Sequence, residues 1–253
     1  MPEKLAIELM GEDFILWRCL HFGPLNPANI EGPPPSSEVD WAHVRARNIP
    51  ILRKLARTYG ASAVMARDGE NVVGSLRFYP KALCSFEAGG GAAFCLQQRF
   101  PSGPPDDLVS REFPPVQGLA DKTLFVHCLF VAAPTGKPGR FRRQGLATRM
   151  ARRLIEWARQ EGWSAIEATS YEELPLLYAI SGVAGRRFWR RLGFAVVRED
   201  TEPGISGDLE EKLRKEAASM GLPPGDVTKR YTMRLELTGK RPAVRSDRKR
   251  ERR

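Results

Sequence analysis

No apolar run in this chain is long enough to span a bilayer, so nothing in it reads as a membrane-spanning helix. Cysteine is scarce and scattered, at Cys19, Cys84, Cys95 and Cys128. No C-x-x-C spacing occurs, and reduced thiols are the simplest reading. Cys19, His21, Cys84 and Cys95 could meet in space as four ligands, but the spacing does not support it and no metal site is expected. Neither G-x-x-x-x-G-K-[ST] nor G-x-G-x-x-G follows a strand, which argues against a standard nucleotide-binding loop. No internal repeat is found. The opening residues, MPEKLAIELMGED, are acidic where a secretory leader needs a basic start and an apolar stretch, so the expected location is cytoplasmic.

What is present begins with charge. The formal net charge is +10, and part of it lies in the segment KRPAVRSDRKRERR from Lys240 to Arg253. Residues 239–253 read as a basic disordered tail that could touch nucleic acid, although a solvated tail is the simpler reading. Hydrophobic content of 42% is ordinary for a globular protein, and residues 1–238 are expected to form one domain. Oligomeric state leaves no sequence signal.

The segment FILWRCLHF in the first thirty residues reads as a strand or a short helix. Asp40 caps a short helix from Trp41, and Pro50 sits early in a second helical pattern that ends at Tyr59-Gly60. Ser62–Arg67 and Val72–Tyr79 flank an Asp68-Gly69 turn, a hairpin signal. Residues 80–123 are rich in proline and glycine and read as a lid-like insertion. Leu124–Val131, LFVHCLFV, reads as a strand buried on both faces. Leu146, Met150 and Leu154, with Trp157 and Ala158, then form one helical stripe to about Gln160. A strand at 164–169, a helical piece at Ala184–Arg191, a strand FAVVRE, a helix capped through Asp208 and Glu211, and a strand at 231–237 follow.

RFRRQGLATRM, Arg140 to Met150, joins the buried strand to the striped helix. A glycine turn here exposes the first N–H groups of a helix, and those groups with the helix dipole bind phosphate oxygens. Arg142-x-x-Gly145-x-Ala147 resembles the acetyl-CoA loop of the GNAT (GCN5-related N-acetyltransferase) superfamily. FWRRLGF, Phe188 to Phe194, resembles that family's LYxxxGF segment. The resemblance covers residues 60–80 and 124–200 and, loosely, the last strand.

That resemblance implies an α/β (α+β) fold: a bent, mostly antiparallel sheet of about seven strands flanked by helices, splayed beside the buried strand. It implies acetyl-CoA as co-substrate. The pyrophosphate would lie on the backbone amides of Arg143, Gln144, Gly145, Leu146, Ala147 and Thr148, and the pantetheine arm along Leu129, Phe130 and Val131. Arg140, Arg142 or Lys137 could meet the adenosine phosphates. The implied activity is acetyl transfer to an amine of a small molecule or peptide by direct attack. The alternative is a catalytically inactive module of the same fold that binds CoA, RNA or protein.

Acetyl transfer needs a base for the amine and an acid for the leaving thiolate. The family's usual acid, the tyrosine of LYxxxGF, is replaced by Trp189. Tyr171 and Tyr178 are the nearest hydroxyls. Glu167 is the first base candidate, a carboxylate inside an apolar strand whose pKa would rise if it faces the cleft; an outward glutamate is the competing reading. His127, within the buried strand, is the second. Glu172 and Glu173 read as solvated loop residues. Cys128 could carry an acyl group, although a buried cysteine is usually inert. Arg186, Arg187, Arg190 and Arg191 read as a solvated basic helix face, or, as the resemblance implies, could lie near the CoA phosphates.

Overall fold

The computed structural model describes residues 5–18, 20, 23–32, 40–83, 112–132, 141, 144–181 and 183–237. Several expectations fall outside them: Cys19, His21, Cys84 and Cys95 as ligands, most of the 80–123 insertion, Lys137, Arg140, Arg142 and Arg143 as phosphate contacts, and the 239–253 tail. Among the described residues no cluster of His, Cys, Asp and Glu could hold a metal ion, and no helix is long and apolar enough to cross a membrane.

The chain runs β1 (Ala6–Leu9), α1 (Trp41–Tyr59), β2 (Ala63–Asp68), β3 (Asn71–Pro80), β4 (Thr123–Val131), α2 (Leu146–Gln160), β5 (Ala165–Ser170), α3 (Pro175–Ser181), α4 (Arg186–Arg191), β6 (Ala195–Thr201), α5 (Gly207–Ser219) and β7 (Lys229–Glu236). The strands form one seven-stranded sheet in the order β1-β2-β3-β4-β5-β7-β6. All neighbours are antiparallel except β4 and β5. That parallel ladder runs only from Thr123–Ala165 to Val126–Ala168, after which β5 continues against β7 alone. The sheet therefore splays from His127 onward, as the GNAT resemblance implies.

Local chemistry explains the elements. Asp40 caps α1 by accepting from the His43 N–H at 3.0 Å, and Gly60 ends the helix with φ 86°, a left-handed conformation suited to glycine. The two helical patterns expected between Trp41 and Tyr59 are one helix of 19 residues. Pro50 lies on its exposed face, where water can satisfy the carbonyl left without its N–H partner. The hairpin forms as expected around Gly69, φ 59°. FILWRCLHF forms neither strand nor helix over its described residues, and the first strand is the earlier AIEL. Leu16, Trp17 and Leu20 in that segment are nevertheless buried core residues. In α5 Asp208 sits within the first turn, and Ser206 occupies the cap without a side-chain bond.

The main core lies between α2 and the sheet. Leu146, Met150, Leu154, Trp157 and Ala158 are all buried, and Phe78 of β3 meets Trp157 with ring centroids 5.0 Å apart. Each large side chain buried this way contributes roughly 1.5–3 kcal/mol. The end of the insertion joins the core as well: Phe113, Val116 and Leu119 are buried, and Phe113 stacks on Tyr59. A smaller core, with Tyr171, Leu174, Leu177 and Leu213, gathers α3 and α5 beyond the end of β5.

Candidate active site

At the far end of β4 the chain enters α2 through Gly145, which has φ 71° and ψ 11°. A side chain is strained in that left-handed region. Among the described residues nothing lies within 4 Å of the place a Cβ would occupy. The first intrahelical bond of α2 runs from Arg149 N–H to Gly145 O at 3.0 Å, so the N–H groups of Leu146, Ala147 and Thr148 precede it. Ala147 and Thr148 are half-buried, and Gln144 and Gly145 are exposed. Positive helix-end charge and the small residues Gly145 and Ala147 suit the head of this 15-residue helix to an anion.

Leu129, Phe130 and Val131 pair with Leu76, Ser75 and Gly74 of β3 on one edge. Their other edge faces the splay, beyond the last β5 partner at Val126. The register holds a further feature. Arg77 pairs with Cys128 while Phe78 pairs with Val126, which leaves His127 as an extra residue, a β-bulge. A bulge re-aims a side chain and bends its strand, and such irregularities gather near active sites. His127 is only 6% exposed, and its ring lies 5.5 Å from that of Tyr79. Phe78 meets α2, so the adjacent Tyr79, with His127, lies on the opposite face of the sheet.

Glu167 shares that opposite face, because it is the register partner of Phe125, itself opposite Tyr79. It is 5% exposed, so the outward reading does not hold. Its carboxylate is not a lone buried group: Oε2 lies 2.8 Å from Lys81 Nζ, and Oε1 accepts from Arg234 Nη1 at 2.8 Å. Arg234 also reaches Thr123 Oγ1 and Glu236. Its pKa is raised, first by the Glu236 hydrogen bond and further by Glu167. The expectation of a desolvated base assumed that no counter-charge was present, and two cations supply one.

The tyrosines separate. Tyr171 is fully buried, and its hydroxyl donates to Glu202 Oε2 at 2.8 Å, which ties it into the smaller core. Tyr178, on α3, is half-buried and stacks on Phe130 with centroids 6.1 Å apart and planes 9° apart. This brings a phenol to the open stretch of β4. Trp189 is 2% exposed and packs against Phe188 and Phe194. The Phe-Trp pair of FWRRLGF thus seats α4 on the core.

Glu172 corrects the solvated reading. It is 4% exposed, Arg186 lies 2.9 Å from its carboxylate, and Tyr231 donates to it at 3.0 Å. Burial and Glu172 together push the Tyr231 hydroxyl up to about 12. Arg186 also lies over the Tyr231 ring at 5.0 Å, so it is not a solvated helix-face residue; Arg190 and Arg191 are exposed. Glu173 is half-buried and accepts from Arg187 N–H at the start of α4. Cys128 is a buried free thiol. Lys81, Arg234 and the Glu172–Tyr231 pair carried no sequence signal as site residues, since their partners are distant in the chain. The bulge at His127 was equally silent, because it is a property of strand register.

No family model matches the chain, and no curated protein matches it. Solved structures do. A mosquito arylalkylamine N-acetyltransferase like 5b is 14% identical, covering 92% of this chain and 100% of that one, with a TM-score of 0.47. The yncA structure from Salmonella typhimurium with its cofactor acetyl-CoA is 13% identical over 94% of this chain and 97% of that one, TM-score 0.44. Ard1 from Thermoplasma volcanium is 11% identical over 92% and 97%, TM-score 0.43. Likenesses at these scores carry no weight alone, and the reading of the site rests on its own geometry.

Proposed function

We propose that this chain is a GNAT-type acyltransferase that moves an acetyl group from acetyl-CoA to an amine by direct attack. The observation that carries the reading is one juxtaposition. The β4–β5 ladder stops at Val126, and the same β4 leads to a left-handed glycine at the open head of α2. A ligand with a phosphate head and an amide-bearing arm fits that pair of features. Gln144 to Thr148 seat the pyrophosphate, and Leu129 to Val131 offer strand-edge hydrogen bonds to the arm. Arg142 and Arg143 stand next to this seat in sequence.

His127 takes the amine proton in this reading, since the bulge sets its ring on the face where the splay begins. Amine attack on the thioester carbonyl forms the new C–N bond, and collapse breaks the C–S bond. Tyr178, whose ring stacks on Phe130, is the hydroxyl assigned in this reading to protonate the leaving thiolate. Glu167 serves as a positioning residue, holding Lys81 and Arg234 against β5. The acceptor is a small-molecule or peptide amine.

Calorimetric titration with acetyl-CoA, and with adenosine nucleotides as controls, tests this directly. Binding that needs the pantetheine arm, and that Gly145→Trp removes, is expected. An indole at that position lies over the phosphate seat. Unchanged affinity in the variant would remove the central claim.

A further inference from the structure

The β1 edge of the sheet carries a charge arrangement that acetyl transfer does not use. Among the described strands β1 is terminal and is laddered only to β2. Beside it α2 presents Arg149, Arg152 and Arg153, which with Leu5, Ile7 and Glu156 line an open groove of about 540 Å³. Arg149 anchors the groove by donating from Nη2 to the Leu5 carbonyl at 2.8 Å. Arg152 and Arg153 enter no ion pair among the described residues. Elsewhere Arg45, Arg57, Arg67 and Arg214 each have a carboxylate partner.

A terminal strand offers main-chain N–H and C=O groups that an extended chain can complete. Leu5 and Ile7 pack on the core and give that chain an apolar floor. Alternate side chains of an added strand point to one face, so acidic residues at every second position would meet the arginine row. Glu156 disfavours a further acidic residue at its end of the groove, which helps to set the register.

We propose that the groove between β1 and α2 is a docking site for an acidic, extended segment of a partner protein. The segment adds a strand to β1 and sets alternating carboxylates against Arg149, Arg152 and Arg153. Nucleic acid would engage the same cations but has no use for the strand's main-chain groups or the apolar floor.

The test uses the full chain and fluorescence anisotropy of a short labelled peptide of alternating glutamate and valine. Binding is expected, with a loss of at least about tenfold in the Arg152→Glu, Arg153→Glu variant. N-methylation of one alternate set of peptide amides is expected to abolish binding, because that set faces β1. If the charge reversal unfolds the chain in a melting control, Arg152→Gln with Arg153→Gln reads the same contact. The proposal is overturned if the peptide does not bind, if neither arginine change alters binding, or if N-methylation of neither set weakens it. It is equally overturned if oligothymidylate displaces the peptide with the same arginine dependence, or if the chain self-associates through Arg152 without binding peptide. Neither arginine lies in the acetyl-CoA seat, so failure here is distinct from failure of the acetyltransferase reading.

Discussion

His127 shows how one extra residue in a strand can re-aim a side chain. Bulging out of the β3–β4 register puts its ring beside Tyr79 at the point where β5 turns away. Replacing it with glutamine is expected to lower kcat by about 10²–10⁴-fold. Acetyl-CoA affinity should hold. A variant that keeps the rate would move the base elsewhere. Tyr231 gives a second residue-scale expectation. Its hydroxyl pKa is raised to about 12 by burial and Glu172, so its stabilising effect is complete below the ordinary tyrosine value. That effect is lost as pH rises through the folded value. In a spectrophotometric titration, phenolate absorbance from Tyr231 should lag the other tyrosines, and the Tyr231→Phe difference spectrum should isolate it. Ionisation with the bulk of the tyrosines would contradict the buried pairing.

At the scale of elements, the site depends on how closely α2 lies on the sheet. Gly74 of β3 sits beneath Met150: a Cβ there would meet Met150 Cε at 3.0 Å and Ala66 Cβ at 3.2 Å. Methionine's flexible end can yield a little, but the branches of valine cannot be absorbed so easily. Gly74→Val is therefore expected to cost about 1–3 kcal/mol of stability through overpacking. It should also loosen the head of α2, read as weaker acetyl-CoA binding in the folded variant; denaturant unfolding and calorimetry check the two effects separately. α4 makes the complementary point. Its Trp189 is drawn inward by Phe188 and Phe194, so this residue secures a short helix against the core.

For the molecule as a whole, binding and folding are linked. A ligand that binds the folded chain alone adds about 2.7 kcal/mol at one hundred times its Kd. Acetyl-CoA at that ratio should raise the melting temperature by several degrees, and Gly145→Trp should lose the rise while keeping a cooperative transition. A rise of equal size in the variant would place the ligand somewhere other than α2. The two cores bear on the same measurement. The larger one holds the seat through α2, whereas the smaller one holds α3 and α5 and, through them, Tyr178. Loss of Tyr178 packing should therefore leave the seat intact.

The sequence alone determined the strand–glycine–helix passage, the hairpin, the alternating last strand and the buried β4. Each depends on neighbours in the chain: period, turn chemistry and capping act within a few residues. It also pointed to Gly145, whose backbone freedom is a property of one residue. Tertiary structure decided the rest. Pro50 reads as lying near the start of a second helix, yet it is carried inside α1, on the exposed face. Glu167 reads as a lone carboxylate until Lys81 and Arg234 arrive from other strands, and Glu172 reads as solvated until Arg186 and Tyr231 close over it. The splay and the His127 bulge are matters of register between strands far apart in sequence. Long-range pairing brings those charges and edges together, and a local pattern holds no record of which partner will stand opposite.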